Sequence, residues 1–326
     1  MAITIRNAIL HVLYGAGKSP ILSETELDID SEVCEVFILK HVKKLLDNPA
    51  VRTATFKAES PVYKQLSNYL NKELSFTQTS HILAQKFDAI IRDSLNIMPC
   101  DLLFARIGHK TGEYMAILQL GYQEVYAHSV SDSDNQIKKY TALPFSSGKV
   151  EYAALIGLDG ASMPVSLTEK PVIINGEAVL YFSELFLECD SSPSRKEQAV
   201  LLDETNEEFV TEYYKRDPGL IAKIKTAISQ ESKTEDGFVS VENIAEKVFD
   251  DIEIREKYIN TLQEAGIADE LPLGTKVVKQ QFGIQKIKGE NGIEIKFPPE
   301  FAENDLEIIQ HDDGSVTVTI KRLRII

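Results

Sequence analysis

The feature that most constrains the fold is a succession of apolar, strand-like runs in the middle of the chain with no helical pattern between them. Residues 102–107 and 113–120 flank Gly108-His-Lys-Thr-Gly112, which supplies the turn residues a hairpin needs. Residues 122–130 read as an extension of the same sheet; after the polar break at 131–135, residues 150–158 and 172–174 add further strands. Strands that follow one another without intervening helices predict an antiparallel sheet with helices packed against it, not a nucleotide-binding parallel sheet.

The flanking segments fill in the rest of an α+β chain. Residues 3–13 are rich in apolar and β-branched side chains and end at Gly15-Ala-Gly17, which predicts an opening strand. A helix is expected over 31–46, its apolar face begun by Val33, Val36 and Phe37 and continued by Ile38, Val42 and Leu45, with Asn48-Pro49 as the stop. Another follows Pro61. A third spans 76–95, where Phe76, Leu83, Phe87, Ile90, Ile91 and Leu95 recur near the 3.6-residue period. Residues 181–187 form an aromatic helical turn or two before Asp190-Ser-Ser-Pro-Ser194, a linker or sharp corner. Beyond it helices are expected over 197–202, 206–215, 218–229, 241–249 and 252–265, with Pro218 in a first turn, Ser240 as an N-cap and Gly266 as a stop. Structure returns to β at 292–297, 306–309 and 316–323; in the last run Val316, Val318 and Ile320 alternate with Thr317, Thr319 and Lys321 as in a half-buried strand. A chain of 326 residues exceeds the size at which one core stops growing. The expected domains are therefore 1–190, built on the sheet, and 191–326, helical and closed by a C-terminal β element.

Charge and cysteine usage narrow the function. The formal charge is −15, and from 200 to 270 there are 18 acidic against 8 basic side chains. Generalised coating of DNA through a basic surface is thereby disfavoured, because phosphate neutralisation supplies most non-specific affinity. Positive charge gathers late instead: Lys276, Lys279, Lys286, Lys288 and Lys296 face only Glu290 and Glu294 over 275–298, and Lys321, Arg322 and Arg324 follow within 314–326. These eight are the candidate DNA contacts; for the last three, protection of an edge strand by charge is an equal reading. The acidic helical stretch reads first as a solvated helix face, and otherwise as a nucleic-acid mimic or a docking surface for a basic partner. Cys34, Cys100 and Cys189 are odd in number, widely spaced and without a CxxC pair, which points to a reducing compartment and to neither a disulfide framework nor a zinc site. No apolar run approaches the ~18 residues needed to span a bilayer, and membrane association is not expected.

No catalytic, cofactor or metal constellation stands out. Gly15-Ala-Gly17-Lys18-Ser19 imitates the end of a phosphate-binding loop, but Val12 occupies the place of the first glycine and no apolar helix follows, so a plain turn is expected. The histidines at 11, 41, 81, 109, 128 and 311 lack partners at metal spacing; His11, His41 and His81 fit satisfied structural or surface roles. Asp132, Asp134 and Asn135 lack the glycine and the later glutamate of a calcium loop.

Several stretches, taken in order, resemble the bacterial nucleoid-associated protein family of the NdpA (YejK-like) type. They are Ile5-Arg-Asn-Ala-Ile-Leu-His-Val-Leu13, the strand pair 102–106 and 113–120, Tyr181-Phe-Ser-Glu-Leu-Phe-Leu-Glu-Cys189 with the helix after it, Gly292-Ile-Glu-Ile-Lys-Phe297, and the strand 316–320. The resemblance implies a non-enzymatic protein of the bacterial cytoplasm and nucleoid, working as a homodimer on DNA or with a DNA-topology enzyme such as a type II topoisomerase. It brings no catalytic set to transfer. Two functions follow as expectations: direct DNA contact through the basic C-terminal region, or an adaptor held at the nucleoid through its acidic helices.

Overall fold

A computed structural model of the chain describes residues 3–46, 48–131, 134–144, 150–233, 237–289, 292–299, 301, 305–311 and 313–321. The chain divides into two compact units, Met1–Ser192 and Pro193–Ile326.

The first unit is organised by one sheet. Its strands are β1 (Thr4–Leu13), β2 (Arg52–Phe56), β3 (Cys100–His109), β4 (Gly112–Gly121), β7 (Tyr152–Gly157), β8 (Val165–Thr168) and β11 (Cys189–Ser191), in the order β1-β3-β4-β7-β8-β2-β11. Every neighbouring pair is antiparallel. The turn between β3 and β4 closes on Gly112, at φ 139°, where an added Cβ would fall 2.1 Å from a carboxylate oxygen of Asp159. Only glycine leaves room there for Asp159 to accept the Glu113 backbone N–H at 2.7 Å.

Alternation along the central strands sends side chains to two separate cores. Cys100, Leu102, Phe104, Met115, Ile117, Ala154 and Ile156 lie on one face with the buried side chains of α2 (Pro61–Leu70), α3 (Phe76–Asp93) and a π-helical turn, Phe182–Leu187. Leu103, Ala105, Ile107, Ala116, Leu118, Leu120, Ala153 and Leu155 lie on the other face with Ile38, Val42 and Leu45 of α1 (Glu32–Leu46). Burial on both faces is why these strands read as continuous apolar runs. The aromatic turn is pinned where Phe87 of α3 meets Phe182 and Phe186, ring centroids 5.9 and 4.7 Å away, while the Tyr181 hydroxyl donates to Gln119 at 2.6 Å.

Three details differ from the sequence reading. The run after Tyr122 does not extend the main sheet: β5 (Gln123–Ser131) folds back on β6 (Asp134–Ala142) as a separate two-stranded ribbon. Residues 172–174 likewise pair locally, as β9 (Val172–Ile174) with β10 (Glu177–Val179). Val33 and Leu95 leave the expected apolar faces, at 81% and 91% exposed: α1 turns only its later residues to the sheet, and α3 has ended at Asp93. The short strands β2, β8 and β11 carry too few residues to show a period.

The second unit is a helical cluster carrying short strand pairs. α4 (Arg195–Tyr214) starts at a capping box in which Ser194 and Glu197 satisfy each other's backbone N–H groups. It is one helix where two were expected: Asn206, read as the start of a second, is buried in mid-helix, where its Oδ1 accepts from the Tyr258 hydroxyl at 2.7 Å. α5 (Pro218–Glu231) begins at Asp217 and α6 (Val241–Val248) at Ser240, both side-chain caps. α7 (Ile252–Glu264) ends before Gly266, at φ 82°, as its sequence predicts. Phe209, Phe249 and Tyr258 form the aromatic centre, with rings 5.2–5.8 Å apart. β12 (Val239–Ser240) pairs with β13 (Glu270–Leu271). Next come α8 (Gly274–Phe282), a hairpin of β14 (Gln285–Lys288) with β15 (Glu294–Phe297), and another of β16 (Leu306–Gln310) with β17 (Val316–Ile320). Neither α8 nor β14 was expected from sequence. β17 is more open than its alternation suggested, with Val316 and Ile320 at 38% and 39% exposed.

Candidate nucleic-acid interface

The basic candidates are placed by two local rules. In α8 the buried residues Val277, Val278 and Phe282 fix the inward face, and Lys276 and Lys279, three apart, fall together on the exposed one. In the β14–β15 hairpin Lys286 lies opposite Lys296, and Lys288 opposite Glu294. Strand alternation puts these four on one exposed side, while Gln285 and Phe297 are buried on the other, where Ile287 and Ile295 are half-buried. Gln285 donates to the Ala222 carbonyl of α5 at 3.2 Å and to the Thr226 hydroxyl at 3.1 Å, and Phe297 packs in a small core with Ala222 and Leu306. The lysine side cannot turn inward without exposing that core.

Two lysines directly across a strand pair repel each other. Glu294 resolves this by taking Lys286 on one carboxylate oxygen and Lys296 on the other, the latter at 3.1 Å. Lys321 is held by Glu307 at 3.1 Å. Lys276, Lys279 and Lys288 are exposed with no carboxylate partner among the described residues. Arg322 and Arg324 lie outside the described residues. The sequence placed the lysines late in the chain but did not reveal their shared face, nor Glu294 as their common counter-ion. The missing signal was β14, whose period is masked by lysines at two of its four positions.

The acidic side of this unit is also concentrated. Glu204, Glu207, Glu208 and Glu212 of α4 are exposed and border one shallow depression with Arg216. Asp203 and Glu207 both hold Lys225, each at 2.8 Å.

The glycine turn, His11, His41, His81 and the cysteines have the following surroundings, and Asp132 lies outside the described residues. Gly15 and Gly17 have positive φ in a turn after β1, Val12 and Ile21 close across it, and the Lys18 ammonium lies 3.4 Å from the centre of the Tyr14 ring. The Ser23 backbone N–H donates to Nδ1 of the buried His11 at 3.1 Å, so the ring proton is on Nε2, facing the Ser80 hydroxyl at 3.0 Å. Burial first, then neighbouring His81, lowers the pKa of His11 to about 4. His81 is bound to the Ser23 carbonyl at 2.8 Å. His41 departs from the expectation of a satisfied side chain: it is 2% exposed and neither ring nitrogen has a partner. The three cysteines are free, and burial raises the thiol pKa of both Cys100 and Cys189, which makes them poor nucleophiles. Among the described residues no three His, Cys, Asp or Glu side chains form a metal-holding group, and no helix is long and apolar enough to cross a membrane.

A comparison with curated proteins gives no match. A family model described as nucleoid-associated protein YejK matches residues 9–324, spanning both units, the sheet, the acidic α4 and the lysine hairpin alike. With nearly its whole length matched, the chain belongs to the nucleoid-associated protein YejK family.

Proposed function

We propose that this nucleoid-associated protein acts without catalysis in the bacterial cytoplasm, touching the DNA backbone through the lysines of α8 and of the β14–β15 hairpin. The observation that carries this reading is the one-sided hairpin, with Lys286, Lys288 and Lys296 on an exposed face whose reverse is locked against α5. Its two ion pairs do not block the role. Exposed pairs contribute only about 0–1 kcal/mol, so a phosphate can replace Glu294 at small cost. Lysine contacts of this kind recognise charge and not sequence.

The test is a salt titration of duplex DNA binding. Each lost phosphate contact flattens the slope of log K against log salt by about 0.9, so K286Q/K288Q/K296Q should flatten it by between about two and three. An unchanged slope refutes the hairpin as the contact, and wild-type protein without salt-sensitive binding refutes direct DNA contact.

A second reading has its own observation, the exposed glutamates of α4. On this reading the chain is an adaptor whose acidic helix docks on a basic surface of a DNA-topology enzyme, such as a type II topoisomerase. Co-purification that survives nuclease treatment and is lost in E204Q/E207Q/E208Q/E212Q supports it. Co-purification indifferent to those changes refutes it.

A further inference from the structure

The β5–β6 ribbon is the least explained element of the first unit. Nine residue pairs join the two strands, and they pair with no other strand among the described residues. An isolated two-stranded hairpin is marginal in water unless something covers it. Here apolar side chains face solvent instead: Tyr126, Ile137 and Tyr140 are 69%, 80% and 50% exposed. The two outer edges differ in kind. β6 carries adjacent exposed lysines, Lys138 and Lys139, a device that guards an edge against further pairing. β5 has no lysine and runs Gln-Glu-Val-Tyr-Ala-His from Gln123 to His128, a sequence suited to continuing a sheet.

We infer that the β5 edge is a self-association surface, on which β5 of a second copy pairs antiparallel about a two-fold axis at Tyr126. The charges select both the occupant and the register. Pairing through β6 would bring Lys138 and Lys139 of two copies together. With β5 centred on Tyr126, Glu124 faces His128 of the partner subunit, Val125 faces the partner subunit's Ala127, and the two Tyr126 rings lie side by side. Neighbouring centres break this match: at Ala127, Glu124 faces the partner's Val130, and at Val125 it faces the partner's Tyr126. Glu124 keeps its ion pair with Lys139 on its own ribbon throughout. The same register carries Ser131 of one copy to Gly121 of the other. Gly121, Tyr122 and Gln123 line a groove of about 630 Å³ with Met98, 70% exposed, and Val172. Each ribbon's far end thus reaches the apolar groove at the root of its partner, and the interface is continuous along the strand. The inference is independent of whether the lysine hairpin binds DNA.

Site-specific crosslinking with sedimentation tests it, in full-length protein carrying C34S to remove the one cysteine that is not buried. Opposed Cα atoms of an antiparallel pair are ~4.5–5.5 Å apart, within disulfide range. Y126C should therefore oxidise to a covalent dimer. K139C should not, since the two β6 strands would stand three strand spacings apart, roughly 14 Å. Wild-type protein should sediment as a dimer, and Y126K/H128K, which sets lysines into the edge, should sediment as a monomer with an unchanged far-ultraviolet circular dichroism spectrum. A monomeric wild-type protein, a Y126C that fails to crosslink, a K139C that crosslinks as well as Y126C, or a Y126K/H128K that stays dimeric would each overturn the assignment.

Discussion

Replacing His41 with leucine should make the chain less sensitive to acid, by an amount the structure fixes to within one proton. His41 lies on the sheet-facing side of α1 between buried Ile38 and Val42, with the Phe37 ring 4.6 Å away and no partner for either nitrogen. Burial, with a smaller contribution from Lys44, lowers its pKa from 6.5 to about 4. In the unfolded chain it titrates at its ordinary value, so below that value the unfolded state takes up a proton that the native state refuses. Stability is therefore whole above about pH 6.5 and falls as the pH drops toward 4, at about 1.4 kcal/mol per pH unit for this one group. The full loss is at most about 3.5 kcal/mol. His11 contributes a second, similar slope. Carboxylates raised by burial, Asp101 and Glu169, act with the opposite sign, but they are common to wild type and variant and cancel in the comparison. Urea unfolding followed by far-ultraviolet circular dichroism, the chain having no tryptophan, should show the H41L curve shallower by one proton's worth between about pH 5 and 6.5. Near pH 7.5 the variant should be at least as stable as wild type, since an unpartnered buried polar group costs about 1–3 kcal/mol. Parallel stability curves for the two proteins would refute a buried, neutral His41.

Glu294→Gln should release Lys286 and Lys296 together and tighten DNA binding with a steeper salt dependence, read in the same titration; unchanged binding would place the contact elsewhere. Phe87→Ala removes the ring on which Phe182 and Phe186 converge, and should cost about 3–5 kcal/mol in urea unfolding. Ser194→Ala breaks the capping box of α4 and should cost about 1 kcal/mol, with faster amide exchange confined to the first turn.

Elements whose side-chain period is long enough to see are legible in the residues alone. The paired runs around the Gly108–Gly112 turn, the helix from Phe76, read to 95 and ending at Asp93, and the caps at Ser240 and Gly266 are written in local chemistry, because alternation, 3.6-residue recurrence and turn residues act over a few neighbours. The sequence also located the late lysines, the acidic helices and the order of family-like segments. Packing between distant segments settles what local chemistry cannot carry. Whether β5 joins the main sheet depends on which edge is free after β4 pairs with β7, a matter of distant partners. Asn206 sits inside a helix where Tyr258, far along the chain, donates to its side-chain oxygen. The lysines of β14 and β15 became one face only when the inner side of the hairpin was locked against α5, and Lys286 met Glu294, the same-strand neighbour of Lys296, only through the cross-strand register. Charge is a property of residues, but a charged surface is a property of packing.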